Sequence, residues 1–200
     1  LILSLVRFVK QMVDLSFRYW SILAFAVLTY FLSGWALMED LQKHEFFTIL
    51  PLPALYALSV SLFNLFIPEN WLSRVLLFIF FAMGMYAILL SSNIFSVAKA
   101  RTIQLLYAAQ AISLFFSLLI SFLFISIIFV LKLPFWLIVP LVGLTHFPLV
   151  FSSIWSVNLK SKIERGELLI SFLPTLVVMQ FALVLSFLPL DDWLVALLIM

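Results

Sequence analysis

The sequence predicts an all-α fold, a polytopic transmembrane helix bundle of about seven spans within a single integral membrane domain, residues 1–200. Three observations carry this. First, 66% of the 200 residues are hydrophobic and 10% charged, with mean hydropathy +1.28, whereas a soluble domain carries about 45–50% apolar and about 25% charged residues. Second, apolar runs of the length that crosses a ~30 Å hydrocarbon core recur between short polar links. Third, Trp136 and Trp155 stand 19 residues apart on one such run. That is about 28 Å along a helix, the separation of two interfacial aromatic belts.

Residues 1–19 carry Arg7, Lys10, Asp14 and Arg18 at spacings of three and four, which gathers them on one helical face and predicts an amphipathic lead-in at the bilayer surface, with a plain cytosolic lead-in as the equal alternative. The first span covers about 19–38, bracketed by Trp20 and Trp35, and the polar link Glu39 to Glu45 follows. The second covers about 46–67 and holds Pro51 and Pro53 in its first turns, where proline is tolerated. A re-entrant path for this segment is the alternative. Pro68-Glu69-Asn70 is a turn, and the third span, about 71–92, carries Arg74 where it can snorkel to headgroups.

The fourth span, about 105–131, is the longest run without charge, Gly or Pro. Lys132-Leu133-Pro134 is so short that spans four and five, the latter about 135–157, must form an antiparallel hairpin. Pro140, Gly143 and Pro148 predict a kink in span five. Asn158 to Glu167 is the most charged link, and span six covers about 168–188. Span seven opens at Trp193 and reaches Met200 incomplete; with Leu1 at the other end, a piece of a longer protein is expected.

The composition excludes several chemistries. There is no cysteine, so no thiolate catalysis and no disulfide. A net charge of +2 points away from a nucleic-acid partner. The spans as drawn hold no Asp, Glu or Lys and only Arg74. Ion-coupled transporters keep an ionisable partner in the bundle, and voltage sensors need a ladder of arginines. The two histidines lie 102 residues apart, and no H-E-x-x-H, G-x-S-x-G or phosphate-binding glycine motif occurs. No cofactor, metal or catalytic residue is expected.

The remaining polar residues of the spans have a structural and a functional reading. Ala109, Ser113, Ser117 and Ser121 recur every four residues on span four, with Gln110 beside them. Small residues so spaced make a close-packing seam between helices; the functional alternative is a serine-lined pathway. His146 in span five and Gln180 in span six either bond neighbouring helices or line a ligand cavity. In the structural reading, His146 takes up the carbonyl that Pro148 frees. Lys99, Arg101, Lys160, Lys162 and Arg165 either contact lipid headgroups or act as ordinary topology signals that place their links in the cytoplasm.

The stretch Asn93-Ile-Phe-x-Val-Ala98, continued by Arg101-Thr-Ile-x-Leu-Leu106 and Ala108-Ala109, resembles a domain-of-unknown-function family of multi-pass membrane proteins from candidate-phylum bacteria. Leu133-Pro-Phe-Trp136 and Trp155-Ser-Val157 fit the same pattern. The resemblance implies a helical integral membrane protein and no chemistry.

The reading that follows is a non-catalytic membrane module of the bacterial cytoplasmic membrane. Its expected partners are membrane lipids and other membrane proteins, and its oligomeric state is left open. Two alternatives stand beside it. One is a carrier or channel for an uncharged or lipid-like solute. The other is a membrane enzyme on lipid-linked substrates whose catalytic residues lie outside this chain.

Overall fold

A computed structural model describes residues 2–38, 48–67, 70–98, 105–158, 165–188 and 191–199. They form α1 (Ile2–Ala36), α2 (Pro51–Phe63), α3 (Trp71–Ala98), α4 (Leu106–Val130), α5 (Phe135–Asn158), α6 (Arg165–Leu185) and α7 (Asp192–Ile199), with no strand among the described residues. Five of these helices are long and apolar enough to cross a membrane, and the all-α bundle of an integral membrane protein follows.

The centre of the bundle is α4. Its 25 residues reach about 38 Å, and it packs against α2, α3, α5 and α7. Of its most apolar stretch 61% is buried, against 22% for α1, α3 and α6, so those three are left to face lipid. The hairpin from α4 to α5 closes through Lys132, whose φ of 48° is the left-handed conformation that ends helices. The α5 helix continues through both Pro140 and Pro148. Thr145 Oγ1 donates to the Leu141 and Val142 carbonyls nearby, each at 3.1 Å.

Contacts at the two ends of the bundle fix the path of the chain. Leu37, Ile49, Leu50, Phe95, Ala109 and Trp155 form one cluster. It joins the end of α1, the approach to α2, the end of α3, the start of α4 and the end of α5. At the opposite end, Phe17 and Arg18 of α1 share a cavity with Asn64, Leu65 and Ile67 after α2 and with Arg74 of α3. Helix α2 therefore runs antiparallel to both neighbours and joins opposite ends of the bundle.

This corrects the re-entrant alternative, which would place the start of α3 at the Trp155 end. It also corrects the second span in length. Its described helix, Pro51–Phe63, has 13 residues, about 20 Å, and is flanked by turns at 49–50 and 64–66. Such a helix survives because protein surrounds it: Leu52, Tyr56, Ala57, Ser59 and Val60 are all buried.

Other boundaries shift for local reasons. The expected lead-in and first span are one unbroken 35-residue helix. Helix α3 runs six residues past Ser92, to Ala98. Its serines return their hydroxyls to the helix backbone: Ser92 Oγ donates to the Ile88 carbonyl at 2.8 Å and Ser96 Oγ to the Asn93 carbonyl at 2.8 Å. Helices α3 and α5 end, and α4 begins, at the Trp155 end. Lys43, Lys99, Arg101, Lys160 and Lys162, whose links were expected in the cytoplasm or at lipid headgroups, lie outside the described residues.

Tyr56 ties α2 to its neighbours. Its ring is fully buried, stacked on Phe81 with centroids 5.8 Å apart and edge-on to Phe116 at 5.5 Å. Its hydroxyl donates to the Phe80 carbonyl at 2.8 Å. The approach is close because residue 84 is glycine: a Cβ there would collide with the Tyr56 hydroxyl and lie 2.9 Å from the Phe116 ring. Gly84→Ala is expected to destabilise the protein by about 1–3 kcal/mol through overpacking. Met83→Leu, at an exposed position next to it, should be near neutral. Reversible unfolding in mixed micelles measures both, and an unchanged Gly84→Ala midpoint would refute the packing.

Candidate functional site

The polar side chains inside the spans gather where α4 faces α5. Ala109, Ser113, Ser117 and Ser121 are all buried, as their four-residue spacing requires for a single helical face. Three contacts cross from α4 to α5 in antiparallel order. Gln110 Nε2 donates to the Ser156 carbonyl at 2.9 Å. Ser153 Oγ donates to Ser117 Oγ at 3.2 Å. Ser121 Oγ lies 2.5 Å from His146 Nε2. A fourth contact reaches the approach to α2, where Ser152 Oγ donates to the Thr48 carbonyl at 2.7 Å.

His146 is 5% exposed and uses both ring nitrogens. Nδ1 lies 3.0 Å from the Val142 carbonyl, which only accepts, so Nδ1 carries the proton in this arrangement. Nε2 is then free to accept from the Ser121 hydroxyl, and the ring is complete in its neutral form. That tautomer is assigned from the partners. The carbonyl that His146 takes is that of Val142, one turn back on its own helix, rather than the one left without a donor by Pro148.

A serine hydroxyl on a histidine nitrogen is also the start of a nucleophilic pair, which needs an orienting group on the other nitrogen and access for substrate. Here the other nitrogen meets a backbone carbonyl, and both side chains are buried. Neither residue lines the cavity between α1, α2 and α3. The arrangement suits a lock between helices better than a reacting centre.

Gln180 lies elsewhere. It is exposed on α6, which meets α5 through the face of Glu167, Ser171, Thr175 and Ala182. At about 100° per residue, position 180 is turned some 200° from Ala182. Lys99, Arg101, Lys160 and Lys162 lie outside the described residues. Arg165 opens α6, and its side chain also lies outside them.

Glu167 is the residue that the sequence reading misplaced. It was expected in the charged link before span six, yet it sits in the first turn of α6. It is 4% exposed, and neither carboxyl oxygen has a hydrogen-bond partner among the described residues. The signal was present. Ser171 and Thr175 follow it at steps of four, both buried, donating to the Glu167 and Ser171 carbonyls at 2.7 and 2.9 Å. The spacing rule that finds the α4 seam finds this stripe too. The first turn of a helix is also where its dipole favours a negative group.

No family model matches the chain, and neither a curated protein nor a solved structure matches it.

Ser117→Leu is expected to destabilise the bundle by about 1–3 kcal/mol, since the added side chain meets α5 in a packed seam. A variant with wild-type thermal stability would sink that reading of the seam. For His146, ¹⁵N NMR of the labelled ring at pH 7 should show a protonated Nδ1 and an unprotonated Nε2. Two protonated nitrogens would refute the neutral ring.

Proposed function

We propose that the chain is a non-catalytic membrane module, a packed helical body that other membrane proteins and lipids assemble on. One observation carries the reading. Gln110, Ser117 and Ser121 of the seam bond across to α5, and His146 is engaged at both nitrogens in the core. A carrier would instead turn these groups toward a path through the bundle, and an enzyme would turn them toward a substrate. The likeness of Asn93 to Ala109 to a multi-pass family without assigned chemistry supports the same reading. We place the module in the bacterial cytoplasmic membrane on that likeness.

Reconstitution into sealed vesicles tests the proposal. With the chain present, flux of uncharged solutes and movement of lipid between leaflets should equal those of protein-free vesicles. Proximity labelling from the chain in native membranes should mark a reproducible set of neighbouring membrane proteins. Solute flux above background that disappears in a folded His146→Phe variant would overturn the proposal in favour of a carrier. Turnover of a lipid-linked substrate would overturn it in favour of an enzyme.

A further inference from the structure

A cavity of about 670 Å³ opens between the start of the α1 span, the end of α2 and the start of α3. That volume falls in the range of small-molecule sites, about 300–1,000 Å³. Its lining is divided by chemistry. Arg18 and Arg74 supply two guanidinium groups, and Ser21, Ser61 and Asn64 add neutral polar side chains. The remaining described walls are apolar, with Phe25 and Phe81 packed ring to ring, centroids 5.9 Å apart. No carboxylate is among the described lining residues.

The division follows depth. Helix α3 begins at Trp71, and Arg18 and Arg74 line the same cavity, so both guanidiniums stand toward the end of the bundle where α3 starts. Phe25 and Phe81 lie seven residues further along their helices, about 10 Å deeper. These described walls suit an occupant that is anionic at the guanidinium end and apolar further along the helices. A guanidinium has five donors in a planar fork, enough to serve a protein partner and a phosphate together. The start of α3 adds the partial positive charge of a helix N-terminus.

We propose that this cavity binds a phospholipid with an anionic headgroup, its phosphate between Arg18 and Arg74 and one acyl chain along Phe25 and Phe81. This goes beyond the module reading, which requires no lipid site at this position.

The purified full chain tests it. Native mass spectrometry in detergent titrated with phosphatidylglycerol or phosphatidylcholine reads the bound lipid directly. The wild type should favour phosphatidylglycerol by about tenfold, because both lipids carry the phosphate but phosphatidylcholine adds a quaternary ammonium whose charge the two guanidiniums repel. The R18Q/R74Q variant should lose that preference. K132Q removes a positive charge outside the cavity and should keep it. If the double variant fails to fold, R18Q alone, at an exposed side chain, should weaken phosphatidylglycerol binding by about tenfold. Equal binding of the two lipids overturns the proposal, as does a folded variant that keeps the preference. Displacement by equimolar inorganic phosphate overturns it as well, because the site would then read a free anion rather than a lipid.

Discussion

Hydrocarbon offers no partner to an N–H, an O–H or a carbonyl, so every such group in a span must find one within the protein. Most features of this chain answer that constraint. The short hydroxyls answer it locally. Ser21 donates to the Phe17 carbonyl, Thr29 to Phe25, Ser91 to Ala87 and Ser126 to Phe122, each four residues back. These residues sit at no helix-to-helix cost, because the backbone beneath them absorbs the hydroxyl. Gln110 and His146 reach further than that, and their partners on neighbouring elements set the α4–α5 register.

Close approach is the second device, and it is concentrated around α4 and α5. Gly84 gives Tyr56 and Phe116 their room. Gly143 lets Met179 of α6 sit against α5, where a Cβ would stand 2.6 Å from the sulfur. The two devices depend on each other. Serines can bridge α4 and α5 only because alanine and serine leave the backbones near enough, and that proximity persists because the bridges are completed. Lipid tails offer apolar groups much the same surroundings as a neighbouring helix, so packing and polar pairing decide which faces meet.

What could be read from sequence divides along physical lines. The α4 and α5 spans were expected at 105–131 and 135–157 and are helical over Leu106–Val130 and Phe135–Asn158. Their boundaries are legible because Lys132 to Pro134 punctuates them sharply. The four-residue stripe of small residues on α4 was legible because one helical period suffices to compute it. The length of α2 was not, since an apolar run from 46 to 67 says nothing about how much of it is helical when neighbours can shield the rest. Glu167 was hidden by its charge: a carboxylate beside Arg165 and Glu164 reads as solvated link, and only the packing of α6 on α5 shows it to be interior. The cavity was invisible for a different reason. It joins Arg18 to Arg74 across 56 residues of sequence, and no local pattern pairs them.

The shortness of α2 has a consequence for how the protein is made. A helix of about 20 Å does not bridge the hydrocarbon by itself, so partitioning into lipid gives it little independent reason to leave the translocation channel. Its favourable step is burial against α1, α3 and α4, the last of which begins 43 residues after α2 ends. The nascent chain must hold α2 at the channel or the bilayer surface until later helices arrive. Membrane integration of this protein is therefore a cooperative event, in which the second crossing is completed by the fourth helix.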